Sequence, residues 1–138
     1  MKLRASATIC FALWFALPFA STAGLAPDAD SDGVPDVLDN CSTTPNAAPF
    51  DCDTDKDGYG NACDGDFDQD FDVDGVDFNP GFLSVFTGSG LPSPTGTDMD
   101  CDGDVDGSDF NPVFLNQFTG SGAPGPSGLN CAGQPGCC

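Results

Sequence analysis

Apolar residues recur with a helical period in two stretches of the chain, and the two stretches are copies of each other. The stripes are Phe78, Phe82, Leu83 and Phe86 in the first copy and Phe110, Phe114, Leu115 and Phe118 in the second. The spacing i, i+4, i+5, i+8 places each set on one face of a helix. The whole unit repeats after 32 residues, so that residue 66 corresponds to residue 98. The pattern predicts two similar short helices that pack together through these side chains.

Prolines limit the length of both predicted helices. Pro80 and Pro112 fit the first turn of a helix but are costly in its interior. We therefore expect the helices to begin at Asn79 and Asn111, each asparagine acting as N-cap. Each helix would then have about two to three turns, which is marginal for an isolated helix.

A different apolar run, without a polar face, occupies residues 5–20. It follows Lys2 and Arg4 and precedes the small residues Ser21 and Ala23. This order is typical of a secretory signal peptide cleaved after Ala23, which predicts a leader at 1–23. The alternative is a membrane anchor, but the run is shorter than the roughly 20 residues of a spanning helix.

The charge of the chain after the leader is extreme and is carried by one residue type. All 22 acidic residues are aspartate, and Lys56 is the only basic residue beyond the leader, which leaves a formal charge of −21. Aspartate favours turns over helical surfaces. Such dense negative charge repels itself unless cations neutralise it, and it excludes nucleic acid as a partner.

All the aspartates except Asp51 fall into four loops of one pattern. Carboxylates alternate along each loop, with glycine at position 6 and aspartate at position 12, which is the pattern of an EF-hand calcium loop. The predicted ligands at positions 1, 3, 5, 7, 9 and 12 are Asp28, Asp30, Asp32, Val34, Asp36 and Asp39 in loop 1; Asp53, Asp55, Asp57, Tyr59, Asn61 and Asp64 in loop 2; Asp66, Asp68, Asp70, Asp72, Asp74 and Asp77 in loop 3; and Asp98, Asp100, Asp102, Asp104, Asp106 and Asp109 in loop 4. Position 7 would contribute its backbone carbonyl.

Loop 3 departs from the pattern at position 6, where Phe71 replaces glycine. A loop that began at Asp70 would regain a glycine there but would place Phe78 at a ligand position. We therefore take Asp66 as position 1. Because a phenylalanine with positive φ costs on the order of 1 kcal/mol, we expect loop 3 to bind a cation more weakly than loop 4.

Calcium is the cation that these ligands favour, since it accepts about six to eight oxygens in flexible geometry, whereas magnesium requires a tight octahedron. The four loops predict about four Ca²⁺ ions, with folding linked to their binding. A merely solvated acidic surface would not place aspartate at position 12 of every loop. Zinc is a weak alternative because the chain has no histidine. We expect no enzyme, because the carboxylates lack a histidine, glutamate or basic partner.

The first two loops resemble a known extracellular repeat. Residues 27–64 contain DxDxDGxxDxxDNC followed by DxDxDGxGNxCD, which resembles a thrombospondin type 3 repeat. The resemblance implies a calcium-dependent, disulfide-tied extracellular structure with little core, and a bridge between Cys41 and Cys63. It also implies that ions can share ligands, which would raise the ion count above four. Cys52 has no counterpart in that pattern.

The duplicated unit at 65–122 resembles a type I dockerin, with aspartate at position 12 of both loops and an apolar stripe after each. The resemblance implies a module that folds on calcium and docks onto a cohesin-like protein in polysaccharide degradation. Dockerins read the partner through positions 10 and 11 of the loop and the exit helix, and those positions are Gly75–Val76 and Gly107–Ser108 here. The alternative function is a calcium-stiffened spacer or adhesion element of the cell surface or extracellular matrix.

The cysteines and the tail complete the predicted organisation. Seven cysteines follow the leader, which is typical of disulfides in a small secreted chain, and the odd one would be unpaired or shared with another molecule. We expect disulfides to anchor the glycine- and proline-rich tail onto the loops. The predicted fold is mostly irregular with a little α-helix, in a secreted or cell-surface protein. Its order is leader 1–23, thrombospondin type 3-like repeat 24–64, dockerin-like module 65–122 and tail 123–138.

Overall fold

Helical structure is confined to short segments that follow the aspartate-rich turns. The computed structural model describes residues 26–88, 96–120 and 122–137, so the predicted leader lies outside the described residues. The segments are 3₁₀ turns at Asp36–Leu38 and Asn61–Cys63, π-helical segments at Asp77–Phe82 and Asp109–Phe114, and the helices α1 (Leu83–Phe86) and α2 (Leu115–Thr119). No β-strand occurs among the described residues. The described part is therefore mostly irregular with a little helix, as predicted.

Both predicted helices exist, and each begins at the proline after the asparagine, as predicted. Asn79 (φ −143°, ψ 110°) and Asn111 (φ −132°, ψ 116°) are extended, which is the backbone conformation of an N-cap. The proline ring pushes the residue before it out of the α region, which explains both extended conformations. A separate helical turn, which was not predicted, precedes each asparagine and includes Asp77 and Asp109. Regular α-helix is left with only 4 residues in α1 and 5 in α2.

A small core joins the two copies of the repeated unit. Its buried members come from equivalent positions of the copies: Phe67 and Met99, Val73 and Val105, and Phe82 and Phe114. The rings of Phe82 and Phe114 stack with centroids 5.4 Å apart. The aromatic contact thus lies between the copies and holds loops 3 and 4 in one unit.

The composition of this core differs from the prediction in two respects. Only Phe82 and Phe114 of the eight stripe residues are fully buried, while Phe86 and Phe118 are 42% and 39% exposed, because the short helices do not cover their own ends. Position 2 of loops 3 and 4, Phe67 and Met99, joins the core instead. The stripes therefore predicted where the core lies but overestimated how many of their residues it contains.

Three disulfides connect the described residues. Cys41–Cys63 joins the ends of loops 1 and 2 and confirms the bridge implied by the thrombospondin type 3 resemblance. Cys52–Cys101 joins the residue before loop 2 to position 4 of loop 4, so it crosses the predicted boundary between residues 64 and 65. The third bridge, Cys131–Cys137, lies within the tail. Cys138 lies outside the described residues, and a disulfide to another molecule stays a prediction.

Hydrogen bonds, not disulfides, hold the tail on the loops. Backbone N–H groups of the tail donate to loop carbonyls, from Gly128 to Asp39 (2.9 Å), from Gly133 to Asp57 (2.7 Å) and from Gly136 to Lys56 (2.8 Å). Ser127 Oγ donates to the carbonyl of Gly58 at 2.7 Å. The prediction that disulfides anchor the tail is wrong, because both described cysteines of the tail pair with each other. The tail acts as a strap that satisfies backbone groups of loops 1 and 2.

The substitution Gly58→Ala is expected to destabilise the protein more than Gly33→Ala. Both glycines hold position 6 with positive φ (94° and 98°), so alanine costs about 1 kcal/mol at either site through the backbone. A Cβ at Gly33 would meet nothing within 4 Å, whereas a Cβ at Gly58 would overlap Cys137 Sγ and lie 2.9 Å from Ala132 Cα. The overlap adds about 1–3 kcal/mol. Chemical denaturation in calcium compares the variants, and equal losses would contradict the docking of the tail on loop 2.

Candidate metal centres

The four loops share one backbone conformation at their tight turn. Position 4 has positive φ in every loop although none has glycine there: Ser31 (66°), Lys56 (64°), Gln69 (64°) and Cys101 (60°). Position 6 also has positive φ in every loop: Gly33 (98°), Gly58 (94°), Phe71 (69°) and Gly103 (103°). The value at Phe71 confirms the strained conformation predicted for loop 3 and agrees with a loop that begins at Asp66.

Two side-chain hydrogen bonds hold this turn in all four loops. The carboxylate at position 1 accepts the N–H of position 6: Asp28 from Gly33 (3.2 Å), Asp53 from Gly58 (3.0 Å), Asp66 from Phe71 (2.7 Å) and Asp98 from Gly103 (3.1 Å). The carboxylate at position 5 accepts the N–H of position 7: Asp32 from Val34 (2.8 Å), Asp57 from Tyr59 (2.9 Å), Asp70 from Asp72 (3.0 Å) and Asp102 from Asp104 (3.2 Å). These short side chains bond to their own turn and keep lone pairs for a further partner.

Three carboxylates converge in each loop, with ligand oxygens within 4.8 Å of one another. The groups are Asp28, Asp30 and Asp32; Asp53, Asp55 and Asp57; Asp66, Asp68 and Asp70; and Asp98, Asp100 and Asp109. Loops 1 to 3 thus bring together positions 1, 3 and 5, and loop 4 brings together positions 1, 3 and 12. A second group in loop 4 consists of Asp104, Asp106 and the same Asp109.

The loops close in two different ways. In loops 1 and 2 the side chain at position 9 accepts the N–H of position 2: Asp36 from Ala29 (2.7 Å) and Asn61 from Thr54 (2.9 Å). In loops 3 and 4 position 12 accepts it: Asp77 from Phe67 (2.6 Å) and Asp109 from Met99 (2.7 Å). The second oxygen of each of these aspartates accepts the N–H of position 9 at 2.8 Å. Loops 1 and 2 therefore close through position 9, whereas loops 3 and 4 close through position 12.

The remaining predicted ligands lie outside the convergent groups: the carboxylates of Asp36, Asp39, Asp64, Asp72, Asp74, Asp77 and Asp102. Asp39, at position 12 of loop 1, is 2% exposed. Burial, together with the charges of Asp30 and Asp32, raises the pKa of Asp39. Ligation by these residues, by the amide of Asn61 and by the carbonyls of Val34 and Tyr59 stays a prediction.

Burial makes several of these carboxylates hard to ionise without a cation. Desolvation raises the pKa of Asp64 to about 9, and the charges of Asp57 and Asp55 add to the increase. Desolvation also raises the pKa of Asp55 to about 6, with further contributions from Asp57 and Asp53. The fold therefore gathers negative charge in places where water cannot screen it.

Four buried carboxylate oxygens in the loops accept no hydrogen bond: Asp28 Oδ1, Asp30 Oδ2, Asp39 Oδ2 and Asp100 Oδ1. A buried ionised oxygen without a donor is costly unless a cation coordinates it. The donor set is oxygen only, which suits Ca²⁺. It does not suit Zn²⁺, since six cysteines are in disulfides and the chain has no histidine. The residues present therefore fit calcium.

Loop 1 and the residues after it match a known type of repeat. Residues 27–48 match the thrombospondin type 3 repeat, an extracellular, structural, calcium-binding repeat. The resemblance predicted for 27–64 is confirmed over these 22 residues, and no match supports the dockerin resemblance at 65–122. No curated protein and no solved structure matches the chain. Within the described ranges, no helix is long and apolar enough to cross a membrane.

Two features of the loops differ from the predicted ligand roles. Asp104 was expected to offer only its backbone carbonyl, yet its carboxylate converges with those of Asp106 and Asp109. Aspartate at position 7 does not by itself signal this second group, because Asp72 holds the same position in loop 3 and belongs to no convergent group. Asn61 was expected to bind a cation, but its amide bonds to Thr54 and to the carbonyl of Asp98. No local pattern signals that contact.

The substitution Phe71→Gly is expected to tighten Ca²⁺ binding at loop 3 by about fivefold, because it removes about 1 kcal/mol of backbone strain. Gly103→Ala is the matched test at loop 4. A Cβ there would meet nothing within 4 Å, so only the backbone cost should weaken binding, by a similar factor. Titration calorimetry measures both variants beside the parent protein. A parent loop 3 that binds more tightly than loop 4 would show that loop 3 does not begin at Asp66.

Proposed function

We propose that this protein is a secreted calcium-binding module that serves as a calcium-stiffened structural element outside the cell. The observation that carries the proposal is the common turn of the four loops, which brings three carboxylates of each loop within 4.8 Å of one another. The thrombospondin type 3 match at 27–48 and the three disulfides support an extracellular setting.

Different positions in each loop would contribute differently to ion binding. Positions 1, 3 and 5 present the carboxylates in loops 1 to 3, and positions 1, 3 and 12 present them in loop 4. The N–H groups of positions 6 and 7 fix the orientation of the carboxylates at positions 1 and 5. The aspartate at position 12 is buried in every loop. Bound Ca²⁺ would supply positive charge and would accept about six to eight oxygen ligands.

Folding is expected to depend on these ions because of the charge that they neutralise. About four Ca²⁺ ions would cancel eight of the 21 net negative charges of the chain after the leader, and more if loops share ligands. Without them the carboxylates are costly to ionise, because desolvation, together with the charges of neighbouring aspartates, raises the pKa values of Asp55 and Asp64. Binding free energy would therefore become folding free energy.

The proposed role is structural and not enzymatic. Carboxylates that hold Ca²⁺ stay ionised and are poor general acids, and the chain offers no histidine to act beside them. The repeat type that matches loop 1 is itself structural. Ca²⁺ ligation alone therefore accounts for these carboxylates, because the bound ions would hold the fold together as an apolar core does in other proteins.

Removal of calcium is expected to expand the protein. For about 115 residues, the radius of gyration should rise from about 13 Å towards the ~34 Å of an unfolded chain, with the disulfides limiting the increase. Small-angle scattering and circular dichroism, each with calcium and with a chelator, measure the change. Mg²⁺ at equal ionic strength should not restore the compact form. An unchanged radius and spectrum after chelation would contradict the proposal.

A pair of substitutions distinguishes Ca²⁺ binding by specific ligands from diffuse binding of cations by an acidic chain. Asp30→Asn removes a convergent carboxylate with an unpartnered buried oxygen and should lower the number of bound Ca²⁺ ions by about one. Asp51→Asn removes the one aspartate outside the loops and should leave the number unchanged. Both variants change the net charge equally, so equal effects would indicate diffuse cation binding.

A second candidate function is calcium-dependent docking of the dockerin-like module to a cohesin-like partner of polysaccharide degradation. The observation that favours it is the repeated exposure of large apolar side chains. Phe86 in α1 and Phe118 in α2 occupy equivalent positions and are 42% and 39% exposed, and Val76, at position 11 of loop 3, is 49% exposed. Exposed apolar residues grouped on one face can mark a partner surface.

Docking predicts retention of the protein on immobilised cohesin domains in calcium and its loss in chelator. The double variant Phe86→Ser, Phe118→Ser should lose retention, because it removes the exposed aromatic side chains of both helices. Phe50→Ser is the control, since Phe50 is 50% exposed but lies outside the module. If calcium produces no retention, only the structural function remains.

A further inference from the structure

Asn61 connects loop 2 to loop 4 through its side-chain amide. Its Oδ1 accepts the N–H of Thr54 (2.9 Å), and its Nδ2 donates to Thr54 Oγ1 (2.9 Å) and to the backbone carbonyl of Asp98 (2.7 Å). Asn61 is 3% exposed, so water does not compete for these bonds. The side chain therefore joins the start of loop 2 to the start of loop 4, although 37 residues separate Asn61 from Asp98.

Loop 1 shows what asparagine adds at this position. Asp36 occupies position 9 of loop 1, and its Oδ1 accepts the N–H of Ala29 at 2.7 Å, as Asn61 accepts that of Thr54. A carboxylate has no hydrogen to donate to a carbonyl oxygen. Asparagine keeps the bond within its own loop and adds a donor that reaches the other loop.

The connection ends on the first predicted ligand of loop 4. The Asp98 carboxylate accepts the N–H groups of positions 5 and 6, both at 3.1 Å, and converges with two other carboxylates of the loop. A fixed Asp98 backbone therefore fixes the position of that carboxylate. Gly96 permits the close approach, since a Cβ there would lie 3.3 Å from Asn61 Oδ1.

A disulfide holds the same two loops at a second point. Cys52 directly precedes loop 2, and Cys101 is position 4 of loop 4, one of the two residues with positive φ in its turn (60°). The disulfide prevents the two loops from separating at this point. A rearrangement of one loop is therefore transmitted to the other.

We propose that Asn61 couples Ca²⁺ binding at loop 2 to Ca²⁺ binding at loop 4. An ion that orders either loop aligns Asn61 with the Asp98 carbonyl and so favours the ordered form of the other loop. The inference rests on the proposed function, because both loops must bind Ca²⁺. Such coupling is reciprocal and typically changes an affinity by about 5–150-fold.

The affinity of loop 2 can be followed with Tb³⁺, a luminescent substitute for Ca²⁺, when loop 3, which lies beside Tyr59, is disabled in every variant by Asp68→Asn and Asp70→Asn. Tyr59 is the only tyrosine and Trp14 the only tryptophan in the chain, so Trp14→Phe leaves Tyr59, at position 7 of loop 2, as the one sensitiser. Tyr59-sensitised luminescence is titrated with Tb³⁺ in the full chain, with loop 4 intact and with loop 4 disabled by Asp100→Asn and Asp106→Asn. Competition by Ca²⁺ confirms that the same site is read.

With Asn61 present, disabling loop 4 should weaken Tb³⁺ binding at loop 2 by at least about fivefold. With Asn61→Asp, it should change the affinity by less than about twofold. Asn61→Asp should itself bind Tb³⁺ at loop 2 at least as tightly as the parent, because it adds a carboxylate where loop 1 has Asp36. Retained affinity with lost coupling cannot result from general destabilisation.

The control variant is Thr54→Val, which removes the Oγ1 acceptor within loop 2 and leaves the bond to Asp98. It should keep the fivefold effect of loop 4. An equal effect of loop 4 with asparagine or aspartate at position 61, or no effect with asparagine, would overturn the coupling. Failure of the proposed function would look different, since neither sensitised luminescence nor competition by Ca²⁺ would then be observed.

Discussion

The burial of aspartate carboxylates beside one another is the constraint on which the rest of this structure depends. Desolvation opposes the ionisation of these carboxylates, and the charges of their neighbours add to the effect, as at Asp64, whose pKa is raised to about 9. Cations can neutralise all of them at once. The same aspartates therefore oppose folding without calcium and support it with calcium. The apolar core has only six buried residues outside the disulfides in the described part of the chain.

The turn of each metal centre and the positions of its carboxylates could be predicted, because they lie within twelve consecutive residues. Glycine at position 6 signals the left-handed turn, and the same turn occurs in loop 3 despite Phe71. The left-handed residue at position 4 could not be predicted, since serine, lysine, glutamine and cysteine hold it in the four loops and share no preference for positive φ. That turn is imposed by the carboxylate hydrogen bonds across it, not by the residue itself.

Features that depend on distant contacts escaped prediction. The stripes and the prolines indicated short helices and a shared core, but they did not indicate that Phe86 and Phe118 would remain partly exposed. The partner of Cys52 depends on the approach of loop 4 to loop 2, which no local pattern encodes. The role of Asn61 depends on the same approach, because a position 9 asparagine is also an ordinary calcium ligand when its loop is considered alone.

The two modes of loop closure differ in where the closing side chain lies relative to the helical structure that follows. In loops 1 and 2 the closing residues, Asp36 and Asn61, are the first residues of a 3₁₀ turn. In loops 3 and 4 helical structure begins two residues before the closing residues, Asp77 and Asp109, which lie inside it and are 1% exposed. The side chain that fixes position 2 is therefore a turn residue in the first pair of loops and a buried helical residue in the second pair. Asn61 lies where the two kinds of loop meet, because its amide also bonds to loop 4.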